Sequence, residues 1–126
     1  MQYKFVIQGR LDGLNEYTKA NRGNRYAGNK MKKDNESKVF LGIVAAIESG
    51  TLKGARRYPV SLRIVWYEKD ARRDIDNITF ATKFILDTMV RFQIIQDDSQ
   101  KYVKSIQHDV LVDKENPRIE VYMDER

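Results

Sequence analysis

From Val60 to Tyr67 the chain alternates with a period of two. Val60, Leu62, Ile64 and Trp66 fall on one face, and Ser61, Arg63 and Tyr67 on the other. Such alternation marks a strand with one buried face, and a buried face needs a sheet and a covering layer. Shorter stretches repeat the pattern. Tyr3, Phe5 and Ile7 alternate with Lys4 and Gln8, Ile106, His108, Val110 and Val112 form a third run, and Ile119, Val121 and Met123 a fourth. Asp113-Lys114-Glu115-Asn116-Pro117 separates the last two with the composition of a turn, so these strands are expected to pair as a hairpin.

Two segments carry helical spacing instead. Val39, Phe40, Ile43, Val44 and Ile47 recur along one helix, with Asp34 as the expected N-cap and Gly50 as the stop. Residues 75 to 91 read as the second helix. On it Ile78, Ala81, Ile85 and Met89 share a stripe for the sheet, while Asp76, Lys83 and Asp87 line the opposite edge. Phe80 and Phe84 lean to that outer side, which reads as a second packing surface between subunits. Lys83 and Asp87 stand at the spacing of an i,i+4 ion pair. The Gly- and Asn-rich stretch from Gly9 to Gly28 is expected to be a long basic loop. The resulting order, β-α-β-α-β-β, predicts an α+β fold: one small domain over residues 1–126, a mixed sheet and two main helices.

Composition narrows the chemistry. The 126 residues include no cysteine, which excludes disulfides and thiolate metal sites and fits a reducing cytoplasm. The single histidine, His108, excludes multi-histidine zinc centres and reads as a structural residue on its strand. No run approaches the roughly 18 apolar residues needed to span a bilayer, and the N-terminal stretch lacks the apolar core of a signal peptide. Net charge is +5 with a pI near 9.4, which favours an acidic partner such as nucleic acid. Between Lys19 and Lys38 seven basic residues face only Asp34 and Glu36, and Lys53, Arg56 and Arg57 add a second basic loop. The candidates for phosphate contact are Arg22, Arg25, Lys30, Lys32, Lys33, Arg72 and Arg73.

Within this basic chain, five aspartates fall between positions 74 and 98: Asp74, Asp76, Asp87, Asp97 and Asp98. Hard carboxylate oxygens suit Mg²⁺ or Mn²⁺, which are usually held by a few carboxylates together with substrate phosphate and water. Aspartate is also favoured at helix N-caps and in turns, so each piece alone has a structural reading. The conjunction of Arg72-Arg73-Asp74-Ile75-Asp76-Asn77 with a downstream Asp97-Asp98 points instead to metal-dependent phosphodiester chemistry, with Lys83 as a candidate for neutralising charge on the phosphate. The alternative is a non-catalytic nucleic-acid binding module whose aspartates are caps and turn formers.

Arg73-Asp74-Ile75-Asp76-Asn77, the lysine-bearing helix with Phe84-Ile85-Leu86-Asp87, and Gln96-Asp97-Asp98-Ser99-Gln100 together resemble the RusA family of Holliday junction resolvases, including its phage and prophage members. The stretch from Leu14-Asn15-Glu16-Tyr17 through Asn21-Arg22-Gly23-Asn24-Arg25-Tyr26 is similar to the family as well. The resemblance implies a RusA-like fold and a Mg²⁺-dependent homodimer that resolves four-way DNA junctions by paired nicks in recombination and repair. It implies Asp74, Asp76 and Asp98 as catalytic metal ligands and Lys83 as the family lysine. In the best-known members that lysine follows the second aspartate by one helical turn; here the gap is seven residues. We read this as an insertion between Asn77 and Lys83, which would move the lysine from about 6 to about 10 Å along a continuous helix.

Overall fold

A computed structural model describes residues 2–126. Its elements are β1 (Gln2–Gln8), α1 (Leu14–Gly23), α2 (Arg25–Ser49), β2 (Val60–Glu68), α3 (Ile75–Thr79), α4 (Thr82–Arg91), β3 (Val103–Val112) and β4 (Arg118–Asp124). The expected α+β class with a mixed sheet is present, and the strands form one sheet in the order β1-β4-β2-β3. β4 runs antiparallel to both β1 and β2, whereas β3 runs parallel to β2. Register places Ile64 of β2 beside Val121 on one side and His108 on the other. The alternating residues Phe5, Val121, Ile64 and their neighbours therefore share one face, and the helices bury it.

The last two strands do not form the expected hairpin, because β2 lies between them. The turn instead passes over the end of β2, where Asp113 N–H donates to the Glu68 carbonyl at 2.8 Å. Arg118 then closes it with a 2.8 Å bond to the Asp113 carboxylate.

Nor is the 9–28 stretch a loop: it holds α1 and the start of α2. Asn24, not Asp34, caps α2, its Oδ1 accepting the Ala27 N–H at 2.7 Å. Asp34 lies inside that 25-residue helix and pairs with Lys30 one turn away. Gly42 lets α2 press against β1, since a Cβ there would run into the Val6 carbonyl oxygen.

Residues 75–91 form two helices rather than one. The chain tightens at Phe80–Ala81, with i→i+3 bonds from Ala81 N–H to Ile78 and from Lys83 N–H to Phe80. The Thr82 hydroxyl donates to the Thr79 carbonyl at 2.6 Å. This break falls within the stretch where extra residues were expected. It keeps the predicted stripe of Ile78, Ala81, Ile85 and Met89 fully on the core. Phe84 is buried as well, and both Phe84 and Phe80 pack on Tyr17 of α1 with ring centroids 5.9 and 5.5 Å away. The second packing surface of this helical segment is therefore intramolecular, and these two aromatics do not offer the subunit interface expected of them.

His108 has the structural role expected. Its Nδ1 accepts the indole N–H of Trp66 at 3.0 Å, which requires the neutral ring. Burial lowers its pKa from the ordinary 6.5, with Asp109 opposing in part. Below that ordinary value the unfolded chain takes up a proton that the folded chain refuses, so stability falls as the pH drops and stops falling once the folded pKa is passed. Melting temperature measured from about pH 7.5 to about pH 5.5 should decline in the wild type and decline less in His108→Gln, which keeps an acceptor for Trp66 without the titration.

Candidate functional site

The Asp74–Asn77 segment follows the end of β2 and is held by groups on either side of the two aspartates. Arg73 turns inward. Its Nε and Nη2 donate to the two oxygens of Glu68, each at 2.9 Å, as a bidentate pair. Its Nη1 donates to the Leu11 carbonyl at 3.2 Å and to Glu16 at 3.3 Å. Only 12% of the Arg73 side chain and 5% of the Glu68 side chain are exposed. The phosphate contact expected of Arg73 is thus replaced by a structural role: the guanidinium joins β2, the 9–13 segment and α1. Glu16 is shared with Arg10 and with the Gly13 N–H. Burial pushes the Glu16 carboxyl up, but backbone hydrogen bonds, Arg73 and Arg10 outweigh it and hold the group below its usual range.

Asn77 fixes the other side. It is buried, and its Oδ1 accepts the Asn15 N–H at 2.8 Å, satisfying a donor in the first turn of α1. Gly13 passes so close that a Cβ there would lie 2.6 Å from the Asn77 carbonyl oxygen. The asparagine of the motif is therefore a cap for a remote helix.

Between these anchors Asp74 and Asp76 are exposed. Asp74 occupies the N-cap position of α3, yet its side chain makes no capping bond. Asp76 accepts only the neighbouring Asn77 N–H at 3.0 Å. Among the described residues neither has a cationic group within ion-pair distance. These are oxygen donors on a fixed backbone without a competing ammonium or guanidinium, a donor set that fits a hard divalent ion.

Asp98 lies elsewhere. Asp97 and Asp98 border an open cleft of about 450 Å³ together with Glu36, Asp87, Lys32 and Arg91. Asp87 pairs with Lys32 at 4.0 Å, not with Lys83, which is exposed and without a carboxylate partner among the described residues. Paired residues run from Val60 opposite Val103 to Glu68 opposite Val112, a rise of about 26 Å. Asp74 and Asp76 follow the far end of β2, and Asp97 and Asp98 precede the near end of β3. One chain therefore holds the expected ligands Asp74, Asp76 and Asp98 in two groups at opposite ends of a β-α-β unit. Among the described residues no three metal-ligating side chains converge.

The remaining phosphate candidates divide by environment. Arg22 and Arg25 are exposed around the α1–α2 junction, Lys33 borders a cleft with Phe40 and Phe92, and Arg72 is 89% exposed beside Asp70. Lys30 is paired with Asp34, and Lys32 faces the Asp98 cleft. Sequence reasoning missed Glu36 and Arg91 at that cleft. The only local signal was that Lys32 and Glu36 share a helix face at i,i+4.

No protein-family model and no curated protein matches this chain.

Removing one partner of the buried pair leaves the other charge uncompensated. Glu68→Ala should cost about 3–5 kcal/mol of unfolding free energy, measured by urea denaturation, whereas Asp76→Asn, at an exposed position, should leave the midpoint nearly unchanged.

Proposed function

We propose that the chain is a divalent-metal-dependent endonuclease acting on branched DNA as a homodimer, with Asp74, Asp76 and Asp98 as its metal ligands. One observation carries the reading: Asp74 and Asp76 stand exposed and unpaired in a basic protein, on a segment pinned by a buried ion pair, and Asp74 forgoes the capping bond its position offers. The sequence resemblance to the RusA resolvases points the same way. Mg²⁺ or Mn²⁺ suits these oxygens, and when bound such an ion supplies Lewis acidity toward a phosphodiester and an activated water. The chain's own residues hold it and draw in the backbone. Lys83 and the cations of α1 and α2 offset phosphate charge, and such contacts select by shape rather than base sequence.

The separation of the two acidic groups calls for a second copy. A two-fold axis brings the Asp97–Asp98 end of one chain to the Asp74–Asp76 end of its partner if α4 packs antiparallel on its counterpart. Leu86, half-buried on α4, stands midway between Asp76 and Asp97 in the chain. Such a dimer presents two equivalent sites, as paired nicking of opposed strands requires.

The first test is cleavage of a labelled mobile four-way junction beside a linear duplex of the same sequence. The wild type should nick the junction symmetrically in Mg²⁺ and not in EDTA, and Asp76→Asn should be inactive. Tight junction binding without cleavage under any metal would make the protein a branched-DNA binding module instead. The second test mixes two inactive variants, Asp76→Asn and Asp98→Asn, after joint refolding. If each site draws ligands from both chains, heterodimers hold one intact site, and nicking should return to about a quarter of the wild-type rate. If each site is built within one chain, no heterodimer has an intact site and the mixture stays inactive.

A further inference from the structure

The second basic loop plays no part in the site described so far. Lys53, Arg56, Arg57 and Arg126 surround a cavity of about 300 Å³, and among the described residues none of the four has a carboxylate at ion-pair distance. Its floor is backbone. The N–H groups of Arg56 and Arg57 converge on one oxygen of Glu125, at 2.9 and 3.1 Å. The other Glu125 oxygen accepts the Tyr3 hydroxyl at 3.1 Å. Two successive amides aimed at one point form an anion-binding nest. Glu125 fills it with a single negative charge among four cations. The Arg56 and Arg57 amides hold the Glu125 carboxyl below its usual range.

The nest is rigidly placed relative to Asp97 and Asp98. Gly54 packs against the Gln93 carbonyl, where a Cβ would stand at 2.8 Å, and Ala55 N–H donates to the Ile94 carbonyl at 2.8 Å. The Tyr58 hydroxyl donates to Ala55 and accepts the Gln96 N–H at 2.9 Å. One tyrosine thus bridges the basic loop to the residue before Asp97.

We propose that the Arg56–Arg57 nest binds a backbone phosphate of DNA, and that Glu125 occupies it in the free protein as an internal stand-in which DNA must displace. The proposal rests on the DNA reading above for its ligand but not on cleavage. Lys53, Arg56, Arg57 and Arg126 neutralise the phosphate, and the two amides fix its position. Glu125, one residue beyond the end of β4, leaves by a local movement.

The test measures binding of a labelled four-way junction in EDTA, where no cleavage occurs, at several salt concentrations. Variants are Glu125→Gln and the pair Arg56→Gln with Arg57→Gln, which keeps both backbone amides. Removing the competing charge in Glu125→Gln should tighten binding by about tenfold. The double variant should bind more weakly than wild type and lower the salt slope by about two. Adding Glu125→Gln to it should restore little. Unchanged or weaker binding by a folded Glu125→Gln would overturn the proposal and make Glu125 a structural clamp. If Glu125→Gln fails to fold, the double variant decides: an unaltered affinity and salt slope overturn the proposal equally. Junction binding that responds as expected in a protein that never cuts would sink the nuclease reading and leave the nest standing. Normal cleavage with indifferent binding would do the reverse.

Discussion

Strand β2 has an antiparallel neighbour on one side and a parallel one on the other, and a parallel neighbour is reached only by a crossover. That crossover is α3 and α4, and it carries the chain from one end of the sheet back to the other. The five aspartates of the candidate site lie at its two ends or along it. The same arrangement leaves the opposite face of the sheet without helices, and a polar network lines that face. Arg118 donates to Glu120 and Asp113, each at 2.8 Å, and lies 3.8 Å over the Tyr67 ring, while Tyr122 donates to Glu120 at 2.6 Å. Burial pushes the Glu120 carboxyl up, but Tyr122, Arg118 and Lys4 hold it below its usual range. A charge network, rather than a second layer of helices, covers that face.

Where β2 ends, the buried Arg73–Glu68 pair takes over. Desolvating two charges is costly, so such a pair adds little stability over a well-packed apolar one. What it supplies is direction: a guanidinium that must meet Glu68, Glu16 and the Leu11 carbonyl has one place to sit. Asn35 extends the same constraint to α2, exchanging hydrogen bonds with Asp12 through both its amide atoms at 2.8 Å. The segment carrying Asp74 and Asp76 therefore meets a framework of strand, loop and two helices, each joined to the next by a satisfied buried polar group.

The strands were legible because period two reports burial directly. Val60, Leu62, Ile64 and Trp66 face the core as their spacing requires, and so do Ile78, Ala81, Ile85 and Met89 on the helical spacing. Alternation says which face is buried, not which strand lies alongside, and the hairpin expected of β3 and β4 failed on that point. Helix α1 was invisible for a different reason. It buries no residue completely, and the group that completes its first turn is Asn77, 62 positions beyond its partner Asn15. Once α1 was read as loop, Phe80 and Phe84 had nothing to pack on and looked like an interface; Tyr17 is what covers them. Arg73 was misplaced because charge carries no direction, and Glu16, one of its two carboxylate partners, is 57 residues away. The acidic motif itself was legible. Its division between two ends followed from strand order, which the sequence does not print.

Aspartates in this chain are rarely left alone: among the described residues Asp12, Asp34, Asp70, Asp76, Asp87, Asp109, Asp113 and Asp124 each meet a cation or a hydrogen-bond donor. With 23 lysines and arginines against 18 acids, partners are in excess. Asp74, Asp97 and Asp98 nonetheless have neither an ion pair nor a side-chain hydrogen bond among the described residues, and Asp76 has only its neighbour's amide. An aspartate kept for capping or turn formation bonds the backbone, and these three do not. Stability therefore does not account for them, and residues that break the local pattern without a structural return are where function is sought. Each end offers two such groups, fewer oxygens than a hard divalent ion takes. Under the proposed function, phosphate, water or the other end of a second copy would complete such a site.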